Sequence, residues 1–325
     1  MTSPISNNVI PLPLNRALSD IRERLEVASE EAVTGRKSNL VADLNGQVDR
    51  ALLSQKAVTD IATQRDQLNL RGTRLELAQQ SVAVIQEVSS GFDTRLSTAL
   101  GVDDVPSIEF AALDASVAID QIFSSLNIRH GERYLFAGDA SDTPPFPDAS
   151  VLLDDIRTIA ATALDTADFS AQLDLYFDDP AGPFQQTIYS GAPTASDPDA
   201  VLGTDPAIVE LLKGLSVLAL AGPDEVLPII QDDPDVLQSA AESLFSGQTA
   251  IVTLQADRGI IQEQIEKTQE SLDIEETILS QAFNDITARD QFEAAAQIEE
   301  LQANLEAALL LTSRIANLSL INFLR

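Results

Sequence analysis

Apolar residues recur at helical spacing at both ends of the chain. Leu18, Ile21, Leu25, Ala28 and Ala32 share one face of a helix that opens near Asn15. Gly35 stands where that helix should end, and the basic pair Arg36–Lys37 follows. After a short break in SNLVADLNG, a heptad predicts a long helix from about Gln47 to Leu100. Ile61, Leu68, Leu75, Val82 and Leu96 occupy one core position, and Ala78, Ile85, Phe92 and Ala99 the other, with Ser89 as a polar interruption. Gly101 and Pro106 stop the pattern, and a further helix is predicted from about Ser107 to Ile128.

The character changes at Arg129. RYLFAG, bounded by Gly131 and Gly138 and closed by a proline cluster, predicts a short β-hairpin. Beyond it, Asp, Pro, Gly and Ser mix with short apolar runs, which predicts a small α/β outer domain with one helix over 206–221. Helical periodicity resumes near Pro234 with Leu254, Ile261, Ile265, Leu272, Leu279 and Ile286. A last helix carries Ile298, Leu301, Leu305, Ala308, Thr312 and Ile315, and the apolar run LSLINFLR closes the chain at Arg325.

The fold class expected is mainly α. Long antiparallel N- and C-terminal helices form a coiled-coil bundle, with a short β-hairpin and a small variable α/β domain at the turn. The domains expected are an assembly helix at 1–40, disordered in the monomer; the N-terminal half of the bundle with the hairpin at 41–145; a variable acidic outer domain at 146–232; the C-terminal half of the bundle at 233–287; and a C-terminal assembly helix at 288–325.

Charge sharpens this division. The formal net charge of −31 splits into −1 over residues 1–100, −22 over 101–250 and −8 over 251–325. An acidic middle repels nucleic acid and anionic membranes, and reads as a solvated outer surface. A hydrophobic content of 44% sets the chain apart from disordered acidic tails. With aromatics at 5% and no Trp, its apolar material suits helix–helix seams better than aromatic ligand pockets. The chain has no Cys and no apolar run long enough to span a bilayer, and MTSPISNNVIPLPLNR lacks the parts of a Sec signal peptide.

Little catalytic chemistry is legible. His130 is the single histidine, placed between Arg129 and Gly131 at an expected helix end. One His and no Cys rule out the usual nitrogen and sulfur metal sites. Asp178–Asp179 and the Asp232–Asp235 run lack calcium-loop spacing and read as solvated loop charge. Neither the dinucleotide nor the P-loop fingerprint is present. The expectation is a protein that is not an enzyme, with no catalytic residue, cofactor or metal.

The terminal stripes need cover that only short segments of their own chain could give. Pairing with each other would still leave apolar surface in water, whereas an array of subunits would cover it. Three segments then carry a resemblance: LNRALSDIRERLEVASEEAVTGRKSNLVADLNGQ with Gly35, Asp43 and Gly46; GERYLFAGDASDTPPF; and ARDQFEAAAQIEELQANLEAALLLTSRIANLSLINFLR. The first and last are similar to the opening and closing of the flagellin superfamily. The middle segment resembles the Tyr-x-Phe-x-Gly and Thr-x-Pro-Phe run of its hook–filament junction group (hook-associated protein 3), which filament flagellins generally lack.

The resemblance implies a structural subunit of the bacterial flagellum. It would be exported unfolded by the flagellar type III route and would lie extracellularly, joining hook to filament. The partners implied are further copies in a ring, a neighbouring hook-associated protein, flagellin, and a cytoplasmic export chaperone at the C-terminal helix, with no nucleic acid and no membrane insertion. The expected assembly interface comprises Leu18, Ile21, Leu25, Ile298, Leu301, Leu305, Leu309, Ile315, Leu320, Leu324 and Arg325. The alternatives are a flagellin forming the filament itself, an enzyme or carbohydrate-binding module on a flagellin-like stalk, and a cytoplasmic coiled-coil secretion factor.

Overall fold

Helices make up nearly all the regular structure in the computed structural model, which describes residues 12–39 and 48–323 and their side chains over 15–39 and 48–314. In chain order they are α1 (Leu12–Thr34), α2 (Val48–Ser89), α3 (Phe92–Gly101), α4 (Val105–Leu126), α5 (Ala149–Thr162), α6 (Thr166–Phe177), α7 (Pro206–Ala219), α8 (Pro228–Gln231), α9 (Pro234–Thr287) and α10 (Gln291–Phe323). A two-stranded antiparallel hairpin, β1 (Arg129–His130) and β2 (Arg133–Tyr134), follows α4, with Arg129 opposite Tyr134. The fold is therefore mainly α, with long helices and one small hairpin.

Aspartate starts many of these helices. Asp104, Asp148, Asp165 and Asp205 each accept a hydrogen bond from a first-turn backbone N–H of the helix that follows, and Asp233 and Asp290 do the same for α9 and α10. A side-chain carboxylate there satisfies an otherwise orphaned donor and faces the positive end of the helix dipole. Part of the acidity of the middle is thus spent on helix starts.

The chain divides into two compact units, Met1–Arg65 with Glu270–Arg325, and Asp66–Gln269. The second holds a continuous hydrophobic core from Ala78 to Leu254, in which α4 packs against α3 and α7, and α5 against α6 and α7. An aromatic group lies within it: the ring of Phe146 is 4.8 Å from Phe123, 5.7 Å from Tyr189 and 6.1 Å from Phe184. Asn127 locks Phe146 in place, its Nδ2 donating to the Phe146 carbonyl and its Oδ1 accepting from the Phe146 N–H, each at 3.0 Å. Tyr189 donates its hydroxyl to the Phe136 carbonyl at 2.9 Å, and burial pushes its phenol up to about 12. Phe136 and Phe146, both fully buried, belong to the RYLFAG…TPPF segment, whose apolar letters therefore serve the core.

The structure departs from the pattern reading in two places. The long helix expected to Leu100 breaks between Ser89 and Phe92, where Gly91 takes φ 80°, a left-handed conformation natural to glycine. Gln248 donates its side-chain amide to the Ser89 carbonyl released by that break. The heptad survives across it, because Phe92, Leu96 and Ala99 are all buried. The second departure concerns residues 146–232, expected to be α/β. They form α5 to α8 and a single π turn at Phe184–Ile188, with no strand among the described residues.

Candidate assembly surface

In the first unit, α1 lies along α10. The seam follows the spacing of the sequence: Leu18, Ala28, Ala294 and Leu301 are buried, and Ile21, Leu25, Ala32, Ile298, Leu305, Ala308 and Thr312 are half-buried. The terminal stripes thus meet each other within one chain. Of the remaining residues expected at the interface, Leu309 is 44% exposed. The side chains of Ile315 and Leu320 lie outside the described residues, as do Leu324 and Arg325 altogether.

A polar clasp fixes the register at one end of this pair. Gly35 ends α1 with φ 66°, its N–H returning to the Glu31 carbonyl at 2.8 Å, and this turn carries the chain onto the short link between α9 and α10. The Lys37 N–H donates to the Thr287 carbonyl and the Arg289 N–H to the Gly35 carbonyl, each at 2.9 Å, so Arg36 and Ala288 form an isolated antiparallel bridge. Glu31, 6% exposed, accepts from the Ser38 N–H at 2.8 Å and sets Oε2 3.3 Å from Arg289 Nε. Arg289 also reaches Glu293 at 3.1 Å and Gln297 at 2.7 Å on α10. Arg36 donates to Asn284 Oδ1 at 3.1 Å and stacks its guanidinium 5.8 Å over the Phe283 ring.

The clasp joins α1 to α10 antiparallel, since the end of the first meets the start of the second. A buried carboxylate facing an arginine is costly to leave unpaired, so Glu31 and Arg289 together specify this one register. Sequence reading singled out Gly35, Arg36 and Lys37 without identifying their counterpart. The available signal was Asp290, a capping residue placed directly before QFEAA at the head of α10.

Mutual cover of the two helices is incomplete. Val33 is 83% exposed and Phe292 89% near the clasp, and Leu310 is 65% exposed further along α10, next to exposed Leu309 and Leu311. Val27 adds a smaller exposed group midway along α1. The pair therefore carries an inward seam and a second, outward apolar set. The latter is surface that a solitary helical hairpin gains nothing from keeping.

Residues considered for other chemistry are structural in this arrangement. His130 pairs with Arg133 in the hairpin. Asp178 is paired with Lys213 at 2.9 Å, and Asp233 caps α9 through the Asp235 N–H at 3.0 Å. Among the described residues no group of His, Asp and Glu is arranged to hold a metal ion, and no helix is long and apolar enough to cross a membrane.

Residues 246–324 match the family described as the bacterial flagellin C-terminal helical region. The match takes in most of α9 and all of α10 up to its last described residue, so this part of the chain is flagellin-like in sequence. No curated protein matches the chain. Among solved structures it is similar to the crystal structure of Bacillus cereus FlgL, at 13% identity and a TM-score of 0.43, with 73% of this chain and 96% of that chain covered.

Proposed function

We propose that this protein is a structural subunit of the bacterial flagellum, and more narrowly an adaptor that joins hook to filament through a neighbouring hook-associated protein. The observation that carries the proposal is the outward apolar set on the α1–α10 pair, whose α10 members, Phe292 and Leu309 to Leu311, lie within the residues that match the flagellin C-terminal family. Copies packing side by side would bury that set, at about 1.5–3 kcal/mol for each large side chain fully covered. The expected interface residues then divide by role. Leu18, Ile21, Leu25, Ile298, Leu301 and Leu305 build the inward seam, and Leu309 with Leu310 and Leu311 meets the neighbour.

The wider proposal places the protein outside the cell after type III export. Its contacts would be with its own copies in a ring, with flagellin and, before export, with a chaperone at the C-terminal helix. The terminal helices would become fully ordered only on assembly. The activity is mechanical and uses no cofactor. The adaptor reading is favoured over a filament flagellin by the RYLFAG…TPPF segment, whose Phe136 and Phe146 anchor the aromatic core.

The test is sedimentation with electron microscopy across concentration, with and without filament fragments as seeds. An adaptor stays short or monomeric alone and adds to seeded ends, and its deletion leaves hooks without filaments. Long filaments from this protein alone would make it a flagellin. Leu310→Asp with Leu311→Asp should leave helix content unchanged and weaken seeded addition by more than about tenfold. Unchanged addition would remove the outward set from the interface.

A further inference from the structure

The second unit carries an apolar stripe that its own core does not use. On α4, Phe110, Leu113 and Val117 stand at i, i+3 and i+7, which is one face of the helix, and all three are exposed, Phe110 by 70%. The opposite face of α4, with Ala112, Ala115, Ile119 and Ile122, is buried in the core. A helix packed on one side needs only one such face. Val102 and Val105, exposed in the turn before α4 and at its start, extend the stripe. Between α3 and α4 runs an open groove of about 390 Å³, with Thr98 and Ala99 on one wall and Phe110 and Ala111 on the other. Volumes of this size accept the side chains of a docked segment.

The rim of this surface is acidic. Asp93, Asp103, Asp104, Glu109, Asp114 and Asp120 fall within residues 93–120 against one cation, Arg95. Arg95 is already engaged, donating to Asp114 at 3.0 Å and stacking 4.4 Å over the Phe92 ring. That rim decides among occupants. A second copy in two-fold pairing would bring the same acidic rim against it, and like charges placed face to face oppose association. A head-to-tail contact would have to find a basic surface on a chain of net charge −31. Anionic lipid and nucleic acid are repelled in the same way.

We propose that this stripe and groove dock an amphipathic helix of another protein, apolar on one face and rich in Lys and Arg on its flanks. Its apolar side chains would fill the groove, and its cations would meet the rim, fixing orientation and speeding encounter. The surface belongs to the second unit alone and stands apart from the α1–α10 pair on which the flagellar reading rests.

The probes are fluorescein-labelled peptides added to the full-length protein and followed by anisotropy. One has Leu and Lys at amphipathic helical spacing, one has the same composition in scrambled order, and one has Glu in place of Lys. The ordered Leu/Lys peptide should bind about tenfold or more tighter than the other two, and added salt should weaken it. Phe110→Ser and Val117→Ser, both at exposed positions, should keep the helix content and weaken binding, Phe110→Ser by about tenfold. Leu164→Ser, at an exposed position on the α5–α6 link, should change nothing. Equal binding of the ordered and scrambled peptides, equal binding of the Leu/Glu peptide, or unchanged binding in both α4 variants overturns the proposal. Sedimentation equilibrium of the protein alone and flotation with phosphatidylcholine vesicles test the other occupants. Self-association or vesicle binding that Phe110→Ser abolishes would give the stripe to a second copy or to lipid, and would overturn it equally.

Discussion

The two units reach order by different means. The Asp66–Gln269 unit buries its aromatic rings from several sides, with Phe136, Phe169, Phe177 and Phe184 wholly excluded from water. The α1–α10 pair has one seam of aliphatic side chains, many only half-buried, and relies on a polar clasp for register. An enclosed core makes its own case for folding, because each ring removed leaves a cavity. A two-helix seam is marginal in water by itself, since little apolar area offsets the entropy of fixing two long helices. One unit encloses a many-sided core, and the other holds a single seam.

The sharpest attempt to break this contrast is Phe146→Ala, which should cost about 3–5 kcal/mol in urea unfolding of the full chain. A cost below about 1 kcal/mol would mean the aromatic group is loosely packed. Next in size is Leu301→Ala, expected to cost about 2–3 kcal/mol, seen as faster amide exchange confined to α1 and α10. Equal acceleration in α4 and α7 would erase the distinction between the units. Gly35→Ala forces a side chain into a left-handed turn at φ 66° and should cost about 1 kcal/mol, releasing the clasp with little change elsewhere.

The smallest effect concerns pH. The phenol of Tyr189 has an ordinary value of 10.0 and is raised to about 12 by burial, so the unfolded chain ionises first as pH climbs. Stability is fully present below pH 10 and falls as pH rises toward 12. Tyr189→Phe should flatten that fall in alkaline urea titrations.

The α1, α4, α7 and α10 helices were legible in the sequence because apolar spacing is what buries them. The break at Gly91 was not, since Phe92, Leu96 and Ala99 continue the heptad and hide the interruption in register. Residues 146–232 were misread for a chemical reason. Asp and Pro there suggested loops and strands, yet Asp148, Asp165 and Asp205 are helix caps, and Pro206 stands in the first turn of α7, where its missing N–H costs nothing. The clasp stayed hidden because its partners are far apart in sequence and much of its bonding is between backbone groups, which leave no mark on residue choice.

The clasp also imposes an order of events. Arg36 meets Asn284 across 248 residues of chain, so α1 has no lasting partner until nearly everything else has been made or delivered. Closing so long a loop carries an entropic cost that local contacts cannot offset. A chain that emerges amino end first would hold its opening helix in waiting, and the arrival of Arg289 would be the moment at which both ends become a single object.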